Sequence, residues 1–180
     1  MNLRALFLTL LLAAPAAIAA DAPPAAFNSN FVQTRTLPGF DAPLTSRGNM
    51  RYDKVHGFHW EITAPYHYVF EMNGQTALEE LPDGTKRDLD PDQNPWLAAV
   101  EHIFISALSG DRTELMAYFD IHIEPLPEGQ SVTLKPKPGA IAKAIESIHV
   151  TESAPGQPER IEIAETSGGR MDIRFTPAAP

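Results

Sequence analysis

Residues 56–70, HGFHWEITAPYHYVF, carry three of the chain's six histidines. Histidines at such spacing raise metal ligation first. A competent zinc site needs three or four converging ligands. On a strand, His56 and His59 have opposite parity and point to opposite faces. On a helix they would converge, but Gly57, Trp60, Ile62, Thr63 and Pro65 disfavour helix. There is no cysteine to complete a set. The reading that survives puts His59 and His67 on a wet face and His56 near a turn, with no metal.

Serine chemistry is the next candidate. Ser109-Gly110-Asp111 lacks the G-x-S-x-G context of a nucleophile elbow. It reads as the end of one helix and the cap of the next. The carboxylates are scattered over polar strand faces. No nucleophile, base and orienting group can be assembled, so the chain reads as a non-enzyme that needs no cofactor. One further chemical feature is basic: Arg35, Arg47, Arg51 and Lys54 fall close together in an otherwise acidic chain of net charge −9. Read functionally, they form a lid or docking contact for an acidic partner loop or a lipid phosphate. Read plainly, they are a solvated strand face.

The elements that would position these groups follow from patterning. Met50 and Tyr52 share a parity, as do Phe58, Trp60 and Ile62, and then Tyr68, Phe70 and Met72. Further on come Ile121 and Ile123, Val132 and Leu134, Ile161 and Ile163, and Met171, Ile173 and Phe175. Their neighbours are mostly polar. A period of two with one dry and one wet face predicts antiparallel sheet. Asn73-Gly74, Asp83-Gly84, Glu128-Gly129 and Ser167-Gly168-Gly169 are its turns. Phe58–Ile62 and Tyr68–Phe70 read as adjacent strands turned at Ala64-Pro65.

The middle of the chain reads as helix. Asn94 can cap, Pro95 fits the first turn, and Trp96, Leu97, Val100, Ile103, Phe104, Ala107 and Leu108 form a broad apolar stripe ended by Gly110. Asp111–Glu114 resembles a capping box and predicts a shorter helix with Leu115, Tyr118 and Phe119 inward. A third helical piece is predicted over Pro138–Ile145, with Ile141 and Ile145 on one side. The fold class expected is α+β, mainly β: a curved antiparallel sheet covered by a few short helices. A sheet of many strands curls, and its apolar side is either filled by helices or left as a cavity for a ligand.

Residues 1–20, MNLRALFLTLLLAAPAAIAA, read as a cleaved secretory signal peptide, which predicts export to the periplasm. No second long apolar run follows, so the mature chain is expected to be soluble. About 160 residues remain, enough for one domain over 21–180, with ends 21–26 and 177–180 disordered. The acidic balance argues against nucleic acid as a partner. The absence of cysteine excludes an acylated lipobox, disulfides and thiol chemistry.

Order and spacing of motifs add a resemblance. Phe31-x-Gln33-x-Arg35, then Leu44-x-Ser46-x-Gly48, the Trp60 strand ending in Pro65, and the Asn73-Gly74 hairpin are followed by Ser109-Gly110-Asp111 and Leu134-x-Pro136. This series resembles the LolA-like periplasmic lipoprotein carriers over nearly all of 31–176. The resemblance implies an open half-barrel sheet with a helical lid over an apolar cavity. It implies a monomeric carrier that shields acyl chains of lipoproteins, or another lipid or glycolipid, between an inner-membrane transporter and an outer-membrane acceptor. The chain departs from the pattern in two places. Only about ten residues precede Phe31 after the signal peptide, too few for the family's full opening helix, and Lys54-Val55 stand where an Arg-Pro pair is usual. On this reading the cavity is lined by Met50, Phe58, Trp60, Phe70, Met72, Trp96, Val100 and Phe104, with Ile141 and Ile145 on the lid. The alternative is a lipid-sensing or scaffold domain of the envelope that binds a protein through its sheet edge and carries nothing.

Overall fold

The computed structural model describes residues 26–53, 55–73, 76–90, 112–113, 115–154 and 156–178. The strands in chain order are β1 (Ala26–Thr36), β2 (Leu44–Asp53), β3 (Gly57–Ala64), β4 (Tyr68–Asn73), β5 (Thr76–Glu80), β6 (Lys86–Leu89), β7 (Phe119–Pro125), β8 (Gln130–Pro136), β9 (Ile145–Ala154), β10 (Gln157–Glu165) and β11 (Arg170–Pro177). They form one open antiparallel sheet of eleven strands in the order β6-β5-β4-β3-β2-β1-β11-β10-β9-β8-β7. Two meanders, β1–β6 and β7–β11, are joined by pairing the first strand with the last.

The alternation explains the faces. Phe31, Met50, Phe58, Phe70, Val132, Leu134, Ile148, Val150, Ile161 and Ile173 are all buried and fall on one side of the sheet by register. We call this the inner face. The intervening residues form the outer face. The hairpins sit where turn chemistry placed them. Asn73 pairs with Thr76 across the β4–β5 turn. Gly84 N–H donates to the Leu81 carbonyl at 2.8 Å, and Gly168 N–H to the Glu165 carbonyl at 2.9 Å. Gly129 has φ +82, and a Cβ there would lie 1.9 Å from the Glu152 carbonyl oxygen, so only glycine fits the β7–β8 turn. β3 and β4 turn at Ala64-Pro65, a cis peptide bond.

Helix is scarcer than expected among the described residues. α1 (Leu115–Tyr118) is a single turn. Leu115 is buried as expected, but Tyr118 is 41% exposed. Phe119 is buried as the first residue of β7, opposite Pro136, not as a helical residue. Its strand pairing with β8 through Ile121 and Ile123 overrides the capping signal. The piece expected over Pro138–Ile145 shrinks to a 3-10 turn, Ile141–Lys143, and Ile145 opens β9. The helix expected over Pro95–Ser109 lies outside the described residues. The strands also reach one residue into each end expected to be disordered: Ala26 pairs with Asp53, and Pro177 with Ser29.

The outer face is laced with ion pairs. Arg160 Nε and Nη2 donate to the two Asp172 oxygens at 3.1 and 2.6 Å. These bonds are the leading reason that the Asp172 carboxyl is held below the usual carboxylate range. A lowered folded pKa stabilises the fold above the ordinary value near 4, and that stability is lost as pH falls through the folded value. Asp172→Asn is therefore expected to cost under about 1 kcal/mol at pH 7, since the pair is partly exposed. It should also flatten the acid limb of a melting-temperature profile. Thermal melts of both proteins from neutral pH down to about pH 2 check this, because an unchanged acid limb would show that the pair contributes nothing.

Candidate functional site

The densest part of the inner face spans β1–β4. Register sets Met50 beside Trp60 and Trp60 beside Phe70, and likewise Tyr52 beside Phe58 and Phe58 beside Met72. Met50, Phe58, Phe70 and Met72 are buried, and Trp60 is partly buried against them. Phe31 stacks on Trp60 with ring centroids 3.8 Å apart and planes 22° apart. Phe58 meets Phe70 edge-on at 6.2 Å. Phe31 is on β1 and Trp60 on β3, so the stack crosses β2. It does so over Gly48, which pairs with Phe31 in register. A Cβ at Gly48 would lie 2.8 Å from Phe31 Cζ and 1.7 Å from the Glu61 carbonyl oxygen.

Five residues expected to line a cavity thus share one surface on adjacent strands. Ile141 and Ile145 are partly buried against the same core. Trp96, Val100 and Phe104 lie outside the described residues. The other half of the face, Val132, Leu134, Ile148, Val150, Ile161 and Ile173, continues the apolar surface across β8–β11. Their alternation was plain in the sequence, but pairing of β1 with β11 is what joins the halves.

Polar side chains also lie on this face, and two of them are charged or phenolic groups near its edges. Glu152 is 2% exposed, following Ile148 and Val150 in inward parity. Its Oε2 accepts from Arg112 Nη2 at 2.8 Å and from Gln130 Nε2 at 2.5 Å. Sequence reading missed this pair. The usable signal was a glutamate at an inward position of a strand. At the opposite edge, Tyr68 OH donates to Glu79 Oε2 at 3.4 Å, and Arg87 lies 3.8 Å from Glu79. Burial, followed by the Glu79 charge, pushes the Tyr68 phenol up to about 12.

The basic cluster does not assemble. Arg35 pairs with Leu44 in register, in the inward parity of Phe31 and Gln33. Its Nη2 is 2.8 Å from Glu165 Oε1, so it ties β1 to the β10–β11 turn. Arg47 and Arg51 are exposed on the outer face, four residues apart on β2 and therefore about 13 Å from one another. Lys54 lies outside the described residues. The β1–β2 register, which closeness in sequence conceals, separates Arg35 from Arg47 and Arg51.

His59 and His67 fall on the outer side, and His56 lies in a turn. His59 Nδ1 is 2.8 Å from Glu71 Oε1, its cross-strand partner. His67 Nε2 is 3.3 Å from Glu61 Oε1, and His56 Nδ1 is 2.9 Å from Asp53 Oδ2 in the β2–β3 turn. Asn49 Nδ2 donates to Glu61 Oε2 at 2.7 Å and is the main reason that the Glu61 carboxyl is held below its ordinary value. Among the described residues, no group of three or more His, Asp or Glu could hold a metal ion.

Residues 24–179 match the family described as outer membrane lipoprotein carrier protein LolA. The chain belongs to the LolA family. Solved structures similar to this LolA-family chain include a LolA superfamily protein from Nitrosomonas europaea, 12% identical, covering 86% of this chain and 87% of that one with a TM-score of 0.43. Another is a putative outer membrane lipoprotein-sorting protein domain from Vibrio parahaemolyticus, 9% identical, covering 83% of each chain, TM-score 0.38. A third is Mycobacterium tuberculosis lipoprotein LppX, 9% identical, covering 83% and 84%, TM-score 0.36. Comparison with curated protein sequences gave no significant match. The LolA-type expectation of a mainly β, open antiparallel sheet holds.

Proposed function

We propose that this LolA-family protein is a periplasmic carrier that shields acyl chains of lipoproteins, or of another lipid-like cargo, during transfer from the inner to the outer membrane. The observation that supports the reading best is the largely apolar inner face, with its aromatic and methionine rows on β2–β4. Such a surface holds a flexible chain without a polar anchor. At about 0.8 kcal/mol per CH₂, a chain of about sixteen carbons gains on the order of 10 kcal/mol. Methionines and aromatics adapt to a chain that must enter and leave. Met50, Phe58, Trp60, Phe70 and Met72 form one wall of the proposed cavity and Ile141 and Ile145 border it; Trp96, Val100 and Phe104, outside the described residues, are proposed as further lining. Arg47 and Arg51 offer the donor or acceptor protein two separate point contacts in place of a patch.

Delipidated protein titrated with a dansyl-labelled fatty acid tests this. Binding should saturate and quench Trp60 emission. Trp60→Ala and Phe58→Ala should each weaken binding by about tenfold, equivalent to about 1.4 kcal/mol, with circular dichroism showing that the variants fold. Unsaturable binding, or folded variants that bind like the wild type, would sink the proposal.

A further inference from the structure

The two ends of the sheet differ in a way that the carrier reading does not use. Because the strands alternate in direction, the β1–β2, β3–β4, β5–β6, β8–β9 and β10–β11 connections lie at one end, together with α1 before β7. Among the described residues, the three exposed aromatics are all there: Phe40 at 63%, Tyr66 at 47% and Tyr118 at 41%. Met116 and Leu44, both more than half exposed, accompany them. The described lysines are there too, although the chain is acidic overall. Lys86 opens β6, Lys135 is the penultimate residue of β8, and Lys137 and Lys143 lie in the β8–β9 connection; all four are exposed. Of the carboxylates at this end, Glu80 is 3.2 Å from Lys86 and Glu165 is 2.8 Å from Arg35, while Asp120 lies 3.9 Å from Lys137. Asp41, Asp83 and Glu146 are exposed. The opposite end presents Asp53, His56, Glu124 and Glu128, with Val55, Ile123 and Leu126 as its exposed large aliphatics and no described lysine.

Exposed aromatics on short loops, bordered by lysines, suit one environment in particular. Phe and Tyr rings are stable at the boundary between lipid headgroups and acyl chains. Lysine stems lie along apolar surface while their ammonium groups reach phosphate. We infer that this end of the sheet docks on a phospholipid bilayer surface, with Phe40, Tyr66 and Tyr118 entering the headgroup region and Lys135 and Lys143 facing lipid phosphates, while Lys137 donates to the Met116 carbonyl. The contact is peripheral and reversible, since three side chains bury little area. The acidic opposite end points away from the membrane.

Flotation of the full protein with vesicles tests the assignment. On phosphatidylcholine containing about one quarter phosphatidylglycerol, at low salt, binding should saturate. The triple variant Phe40→Ser, Tyr66→Ser, Tyr118→Ser should lose about tenfold or more in partitioning. Lys135→Gln with Lys143→Gln should lose several-fold on the anionic vesicles and little on pure phosphatidylcholine. Val55→Ser with Leu126→Ser, at the opposite end, should bind like the wild type. All of these side chains are exposed, so the variants should fold. Absence of wild-type binding overturns the assignment, and so does unchanged binding in the aromatic or the lysine variant, or equal loss in the opposite-end pair. The triple variant should still bind dansyl fatty acid in solution, so failure of this inference is distinguishable from failure of the carrier reading.

Discussion

Gly48→Ala should cost the fold about 3 kcal/mol or more, at the upper end of what single substitutions do. The added methyl would lie 1.7 Å from the Glu61 carbonyl oxygen and 2.8 Å from Phe31 Cζ. The carbonyl belongs to the backbone of β3, beside a register shift between Arg47 and Gly48. It cannot swing aside as the end of a side chain can, so β2 and β3 must separate locally. The Phe31 ring cannot stay put either, because its stack on Trp60 passes over this position. Both meanders are affected, since β1 joins them. Urea unfolding followed by Trp fluorescence measures the loss. A midpoint shift worth less than about 1 kcal/mol would mean that the crossing of Phe31 over Gly48 is looser than it stands here.

Glu152→Ala should be comparably damaging, at about 3–5 kcal/mol, because it strands a guanidinium in an apolar setting. Glu152 is 2% exposed and the Arg112 side chain 16%. Gln130 loses an acceptor at the same time. The pair need not itself be a net source of stability, since removing two charges from water offsets most of their attraction. Replacing both, as Arg112→Met with Glu152→Leu, should therefore recover most of the loss. A double-mutant cycle in urea separates the two cases. If Glu152→Ala alone costs under about 1 kcal/mol, water reaches Arg112 and the site is not dry.

These two positions show where sequence reasoning reached and where it stopped. Gly48 was visible as one residue of a spaced pattern, but its reason, an aromatic stack between strands on either side, needs the register of three strands at once. Glu152 had a readable parity, yet its partner is forty residues away in chain order, beyond any local pattern. The basic cluster failed for a related cause. Arg35 looked close to Arg47 and Arg51, but the β1–β2 register sets Arg35 opposite Leu44 and Arg47 opposite Val32, which puts them on opposite faces, and Arg35 pairs with Glu165 instead. The expected helix includes Tyr118 but stops there, with Tyr118 exposed and not inward, because strand pairing of Phe119 with Pro136 outweighs a capping signal only four residues long.

What the sequence determined by itself was every property set by local chemistry. The period of two named the strands and their dry faces. Gly and Asn placed the hairpins. Parity separated His59 and His67 from the Phe58-Trp60-Ile62 row. What only the tertiary structure decided was which strands are neighbours across long intervals. β1 beside β11 turns two meanders into one largely apolar face, and α1 with five loops gathers the exposed aromatics and the lysines among the described residues at one end. The reason is physical. Turn and alternation signals act within a few residues, whereas pairing of distant strands is chosen by the surface that the whole sheet buries.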